Sequence, residues 1–138
     1  MFSYALACFS NEPIAGVAAV SAAQLNLVDC APSPINIFVA HGTDDDLLPY
    51  YGSSDIASID EVVSFWTNVN QTSTVAQESS CAFEKETVYQ YTYSGGINNS
   101  QVMLYMVENG SHGWFDHEIR GKSFSSLVWD FLSTQNFK

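Results

Sequence analysis

Two short apolar runs narrow the fold more than any other feature: Ala15 to Ser21 (AGVAAVS) and Ile35 to Ala40 (INIFVA), the second bounded by Pro34 and Gly42. Each has the length of a strand, and neither shows the alternation of a half-exposed one. Continuous runs of this kind suit strands covered on both faces, as in a parallel sheet packed between helices. The chain also supplies segments able to do the covering. Ser58 to Asn70 carries the apolar stripe Ile59, Val62, Val63, Trp66 and Val69 and opens on Ser58 and Glu61 in capping-box spacing. A last helix is expected from about Lys122 to Ser133, with Phe124, Leu127, Val128, Phe131 and Leu132 facing inward. At the other end Phe2, Ala5, Leu6 and Phe9 fall at helical spacing ahead of Pro13, which acts as a stop signal. Thr87 to Tyr93 alternates, with Tyr89, Tyr91 and Tyr93 on one side, and predicts a half-exposed strand. Beyond a turn at Gly95-Gly96 and Asn98-Asn99, Gln101 to Val107 (QVMLYMV) predicts another. Gln71 to Ser80 is polar and reads as loop. Strands alternating with helices place the chain in the α/β class.

Composition excludes several functions. Hydrophobic residues at 46% and aromatics at 14% make this a globular chain rather than a disordered one. Four Lys+Arg against fifteen Asp+Glu give a formal net charge of −11, a field that repels phosphate backbones and anionic membranes. Nucleic-acid and membrane partners are therefore not expected, and the acidity fits solubility in a salty or extracellular setting. No apolar run approaches the roughly 18 residues of a membrane-spanning helix, and Met1 to Ala7 lacks the basic start of a signal peptide. Cys8, Cys30 and Cys81 match no metal-ligand spacing, and their odd number leaves at least one thiol free. A Cys30–Cys81 bridge in an exported protein and buried thiols are both open. Three glycosylation sequons, at Asn70, Asn98 and Asn109, are of the kind that an Asn-rich chain produces by chance.

The chemistry is concentrated in two loops, each directly after a predicted strand. His41-Gly42-Thr43-Asp44-Asp45-Asp46 follows the run ending at Ala40, and Gly110-Ser111-His112-Gly113-Trp114 follows the strand ending at Val107. In open parallel sheets the carboxyl ends of the strands share one edge, so these loops are expected to meet there. An imidazole and a carboxylate brought together are the base and acid of a serine hydrolase: one takes the serine proton, the other fixes its tautomer. His112, flanked by Ser111 and Gly113, is equally readable as a surface histidine on a turn. Any of Asp44, Asp45 and Asp46 could be the acid, and mutual repulsion should turn at least two of them toward water. Clustered carboxylates also bind Ca²⁺ or Mg²⁺, but the spaced pattern of a calcium loop is absent, and no metal or organic cofactor is expected. Tyr50 and Trp114 are candidates for lining an aromatic substrate pocket, with core or rim packing as the plainer alternative.

His41 to Tyr50 (HGTDDDLLPY) resembles the HGT-x-D-x-x-x-P-Y segment of the polyhydroxybutyrate depolymerase and feruloyl esterase family of α/β-hydrolases, and Gly110 to Trp114 (GSHGW) resembles its G-x-H-x-W segment. Ser64-Phe65-Trp66 is similar to the family's F-W helix, and Val128 to Leu132 to its closing helix. The resemblance implies that Asp45 is the triad acid and His112 the base. It further implies a three-layer α/β-hydrolase fold, of which these residues supply the C-terminal strands and helices of a mostly parallel sheet. Met1 to Cys8 (MFSYALAC) resembles the helix that closely follows the family's nucleophile elbow, G-x-S-x-G-G, yet no G-x-S-x-G occurs in the 138 residues. Ser3 and Ser21 lack the elbow's glycines and are not promoted to nucleophile. The expectation is thus a single, partial domain without the N-terminal strands or the elbow, and a carboxylic-ester hydrolase that contributes acid and base but is inactive alone. Polymeric, aryl or short-chain esters are the expected substrates, a missing N-terminal half the expected partner, and the extracellular space or periplasm the expected location. The alternative is a non-catalytic binding module on an esterase-derived scaffold.

Overall fold

The computed structural model describes residues 1–25 and 29–135. The chain runs α1 (Phe2–Phe9), β1 (Gly16–Val20), β2 (Asn36–Gly42), α2 (Ile59–Asn70), β3 (Gln77–Ala82), β4 (Thr87–Tyr93), β5 (Val102–Glu108), β6 (Glu118–Ile119), β7 (Lys122–Ser123) and α3 (Phe124–Ser133). The main sheet has five strands in the order β1-β2-β5-β4-β3. β1, β2 and β5 are parallel, whereas β4 pairs antiparallel with β5 and β3 antiparallel with β4. The fold is therefore mixed α/β, and the expectation of a mostly parallel sheet holds only for β1, β2 and β5, the last two of which carry the candidate loops.

β2 lies inside the sheet between β1 and β5 and is buried at every position, as its unbroken apolar run demands. Its alternate residues serve two cores. Ile37 and Val39 face α1 and α2 together with Val17, Ala19, Val102 and Leu104. Phe38 and Ala40 face α3 together with Tyr105, Val107, Phe124 and Phe131. Helices thus lie on both faces of the sheet. On α2, Ser58 and Glu61 close a reciprocal capping box, and Ile59, Val62, Val63 and Trp66 are buried as their spacing predicts. Trp66 is fully buried, and its indole N–H donates to Gln24 Oε1 at 2.9 Å.

Two expectations are corrected, and one orientation that spacing left open is fixed. Part of the polar stretch read as loop is β3: QESSCA is a half-exposed edge strand whose hydrogen bonds come from β4, so it needs no apolar face. The Phe2, Ala5, Leu6 and Phe9 stripe of α1 points outward, with Phe2 79% and Phe9 62% exposed, while Tyr4 is buried. Helical spacing marks a face but not which way it points. Finally, Cys30 is bridged to Cys8 rather than to Cys81, which is a free thiol on β3. That bond links the end of α1 to the segment before β2, across 22 residues of sequence. Among the described residues no helix is long and apolar enough to cross a membrane.

Candidate functional site

The parallel pairing of β2 with β5 aligns Gly42 with Val107, so the loops after these strands leave the sheet side by side. They are stitched together by backbone. Thr43 N–H donates to the Val107 carbonyl at 2.9 Å and Asp44 N–H to the Gly110 carbonyl at 3.0 Å. The Thr43 hydroxyl accepts the Asn109 N–H at 2.8 Å. This approach is close enough to require glycine, since a Cβ on Gly42 would overlap the Gly110 carbonyl. A third parallel strand contributes Ser21, just beyond the end of β1. Its hydroxyl donates to the Gly113 carbonyl at 2.6 Å and accepts the Gly113 N–H at 3.2 Å, holding the residue after His112 in place.

Within this frame the three aspartates part company. Asp44 and Asp46 are exposed, and Asp45 is buried. Asp45 Oδ1 accepts the N–H groups of Leu47 at 3.0 Å and Leu48 at 2.8 Å. Oδ2 lies 2.8 Å from His112 Nδ1, across 67 residues of sequence, and 3.1 Å from His41 Nε2. Burial by itself raises the pKa of this carboxyl. The Leu48 amide, His112, His41 and the Leu47 amide outweigh that effect, and the net shift is downward. Asp45 is thus an ionised, buried acceptor of a hydrogen bond from the N–H at His112 Nδ1. Among the described residues Nε2 of His112 has no protein hydrogen-bond partner, and the side chain is one-third exposed. An imidazole held by a carboxylate at Nδ1, with its Nε2 lone pair free, is the form of a general base.

The lowered pKa has a consequence for stability. A carboxyl with a folded-state pKa below its unfolded value contributes stability that is fully present above the unfolded value, about 3.9 for Asp. That contribution is lost as the pH falls through the depressed folded value. Urea midpoints measured against pH should therefore fall in this acid window. The difference between the parent and Asp45→Asn should shrink on acidification; a difference that stays constant would show that Asp45 contributes no such term.

The two expected pocket residues are separated. Trp114 is 54% exposed and borders a shallow hollow of about 330 Å³ beside His112, lined also by Glu86, Phe115 and His117. Tyr50 is 4% exposed and belongs to the core, edge-on to the His41 ring at 6.2 Å between centroids. Burial, assisted by Asp60 nearby, pushes its hydroxyl pKa up. Tyr50 therefore packs beneath the site rather than lining the hollow. Among the described residues no group of three or more His, Cys, Asp or Glu side chains is placed to hold a metal ion. His41 and Ser21 touch the pair or its loop although spacing alone gave neither any role. The pattern in the sequence that pointed to them was their place at the ends of the two apolar runs.

No protein-family model matches the chain, and no curated protein matches it.

Proposed function

We propose that this chain provides the acid and base of a serine-dependent carboxylic-ester hydrolase of the α/β-hydrolase type. The observation that carries the reading is the 2.8 Å contact of His112 Nδ1 with the buried Asp45, which leaves Nε2 free at the carboxyl edge of three parallel strands. On this reading His112 Nε2 takes the proton of a serine hydroxyl as it attacks the ester carbonyl. It then returns that proton to the departing alkoxide. Asp45 holds the tautomer and stabilises the imidazolium that forms between the two steps. Polymeric, aryl and short-chain esters are candidate substrates, and the exposed Trp114 indole is a surface on which an acyl or aryl group could rest. The Cys8–Cys30 bond suits an oxidising compartment, in keeping with a proposed extracellular or periplasmic location.

No serine of the 138 residues stands in a G-x-S-x-G setting, so the proposal assigns the nucleophile to polypeptide outside them. Met1 to Cys8 resembles the helix that follows such an elbow, which places the expected segment immediately upstream. The test compares two proteins on p-nitrophenyl acetate. The 138-residue chain should hydrolyse it no faster than buffer, and a version extended upstream through a G-x-S-x-G segment should turn it over. Turnover by the 138 residues alone would overturn the assignment of the nucleophile. An extended protein that folds, contains the elbow and binds esters without cleaving them would favour a non-catalytic binding module.

A further inference from the structure

Asp45 Oδ2 lies within reach of two imidazoles, and only one of them faces outward. His41 is 1% exposed and sits near the end of β2. Its Nε2 is 2.8 Å from the Leu48 carbonyl and 3.1 Å from Asp45 Oδ2. Both of these neighbours are acceptors, so Nε2 must carry the proton for either contact to be favourable. His41 Nδ1 is buried without a partner. A proton there would be an unanswered donor in the interior, whereas a bare lone pair asks less of its surroundings. Burial, above all, holds the His41 pKa below the usual histidine value. The Leu48 carbonyl and Asp45 pull it the other way, and His112 adds to the lowering. The geometry and the burial thus agree on a neutral ring protonated at Nε2.

Leu48 makes this contact more than local packing. Its N–H donates to Asp45 Oδ1 at 2.8 Å while its carbonyl accepts from His41. His41, Leu48 and Asp45 therefore form a closed circuit that ties the turn after Asp45 back to β2, the most buried strand of the sheet. No helix begins within this turn, so the circuit is not an ordinary helix cap. For core filling alone an apolar side chain of similar size would serve as well and would leave no orphaned nitrogen.

We propose that His41 is a positioning residue whose Nε2–H, donated to the Leu48 carbonyl and 3.1 Å from Asp45 Oδ2, holds the acid in the rotamer that reaches His112. The inference rests on the acid–base reading of Asp45 and His112, and it concerns the proton of the pair rather than the ester that is cleaved.

The experiment is ¹⁵N NMR of histidine-labelled protein, which reports the tautomer of each ring and the exchange of the His112 Nδ1 proton with water. In the parent chain His41 should be neutral with its proton on Nε2. His41→Leu should speed exchange of the His112 Nδ1 proton about tenfold or more, while His41→Gln, which keeps a donor, should remain within about threefold of the parent. A purely structural role would lower the melting temperature without separating the two variants in this way. A parent His41 protonated on Nδ1 would overturn the proposal, as would a folded His41→Leu with exchange within twofold of the parent. Should His41→Leu not fold, the tautomer in the parent decides. Ester turnover plays no part in these readings, so failure of the hydrolase reading is told apart by the two-protein comparison above.

Discussion

On the proposed function, Asp45→Asn is expected to abolish nearly all ester turnover in a protein that supplies the serine, with a loss on the order of ten-thousandfold in kcat, the size of effect this exchange has in a serine-protease triad. The reason lies in which oxygen is held. Oδ1 is pinned by the Leu47 and Leu48 amides at 3.0 and 2.8 Å, so an asparagine must keep its oxygen there. Its NH₂ group then takes the place of Oδ2, facing His112 Nδ1 and His41 Nε2. Rotating the amide to relieve these contacts would set a donor against two backbone donors. His112 can accept from the new NH₂ only by moving its own proton to Nε2, and the lone pair that would take the serine proton is gone. KM should change little, because nothing that touches the ester has moved. Steady-state kinetics of the extended protein on p-nitrophenyl acetate checks this, and a loss smaller than tenfold would mean that Asp45 does not set the tautomer.

The second large effect concerns the backbone that brings the pair together. Gly42→Ala should destabilise the chain by about 3 kcal/mol or more, above the usual range for a surface change and at the upper end of overpacking. The new methyl would collide with the Gly110 carbonyl, and it would also stand 3.0 Å from the Ser111 carbonyl oxygen. These are main-chain atoms of a loop already hydrogen-bonded to Thr43 and Asp44, so no side chain can turn aside to make room. Relief requires the two loops to part, which also separates Asp45 from His112. Urea denaturation measures the loss. A Gly42→Ala protein with a parent-like midpoint would show that the loops do not approach as closely as described.

The apolar run Ile35 to Ala40 was sufficient to predict β2, because a strand buried on both faces leaves a signal at every residue. The capped helix from Ser58 was legible for a similar reason: its stripe and its cap are both local. β3 was not, since an edge strand can be polar throughout when its partner supplies the hydrogen bonds. The outward turn of α1 was left open, because Phe2, Leu6 and Phe9 satisfy helical periodicity whichever side they face. The disulfide partner of Cys30 depended on a long-range approach of α1 that spacing does not encode.

The site divides along the same line. That a carboxylate after β2 and an imidazole after β5 could share one edge followed from each loop directly succeeding a strand of a parallel sheet. The choice of Asp45 over Asp44 and Asp46 came only from resemblance. Its physical basis is that Asp45 is the one whose side chain turns inward to the Leu47 and Leu48 amides. The parts played by His41 and Ser21 arise from contacts across 4 and 92 residues of sequence, respectively, and along the chain only their place at the ends of the two apolar runs marks them.

The most direct test of the Asp45–His112 pair is the tautomer of His112 in the 138-residue chain, read from ¹⁵N NMR of the labelled histidine in parent and Asp45→Asn proteins. The expected result is a neutral His112 protonated on Nδ1 in the parent and on Nε2 in the variant. A parent His112 carrying its proton on Nε2, or one whose tautomer is indifferent to Asp45→Asn, would contradict the pairing on which the proposed chemistry depends.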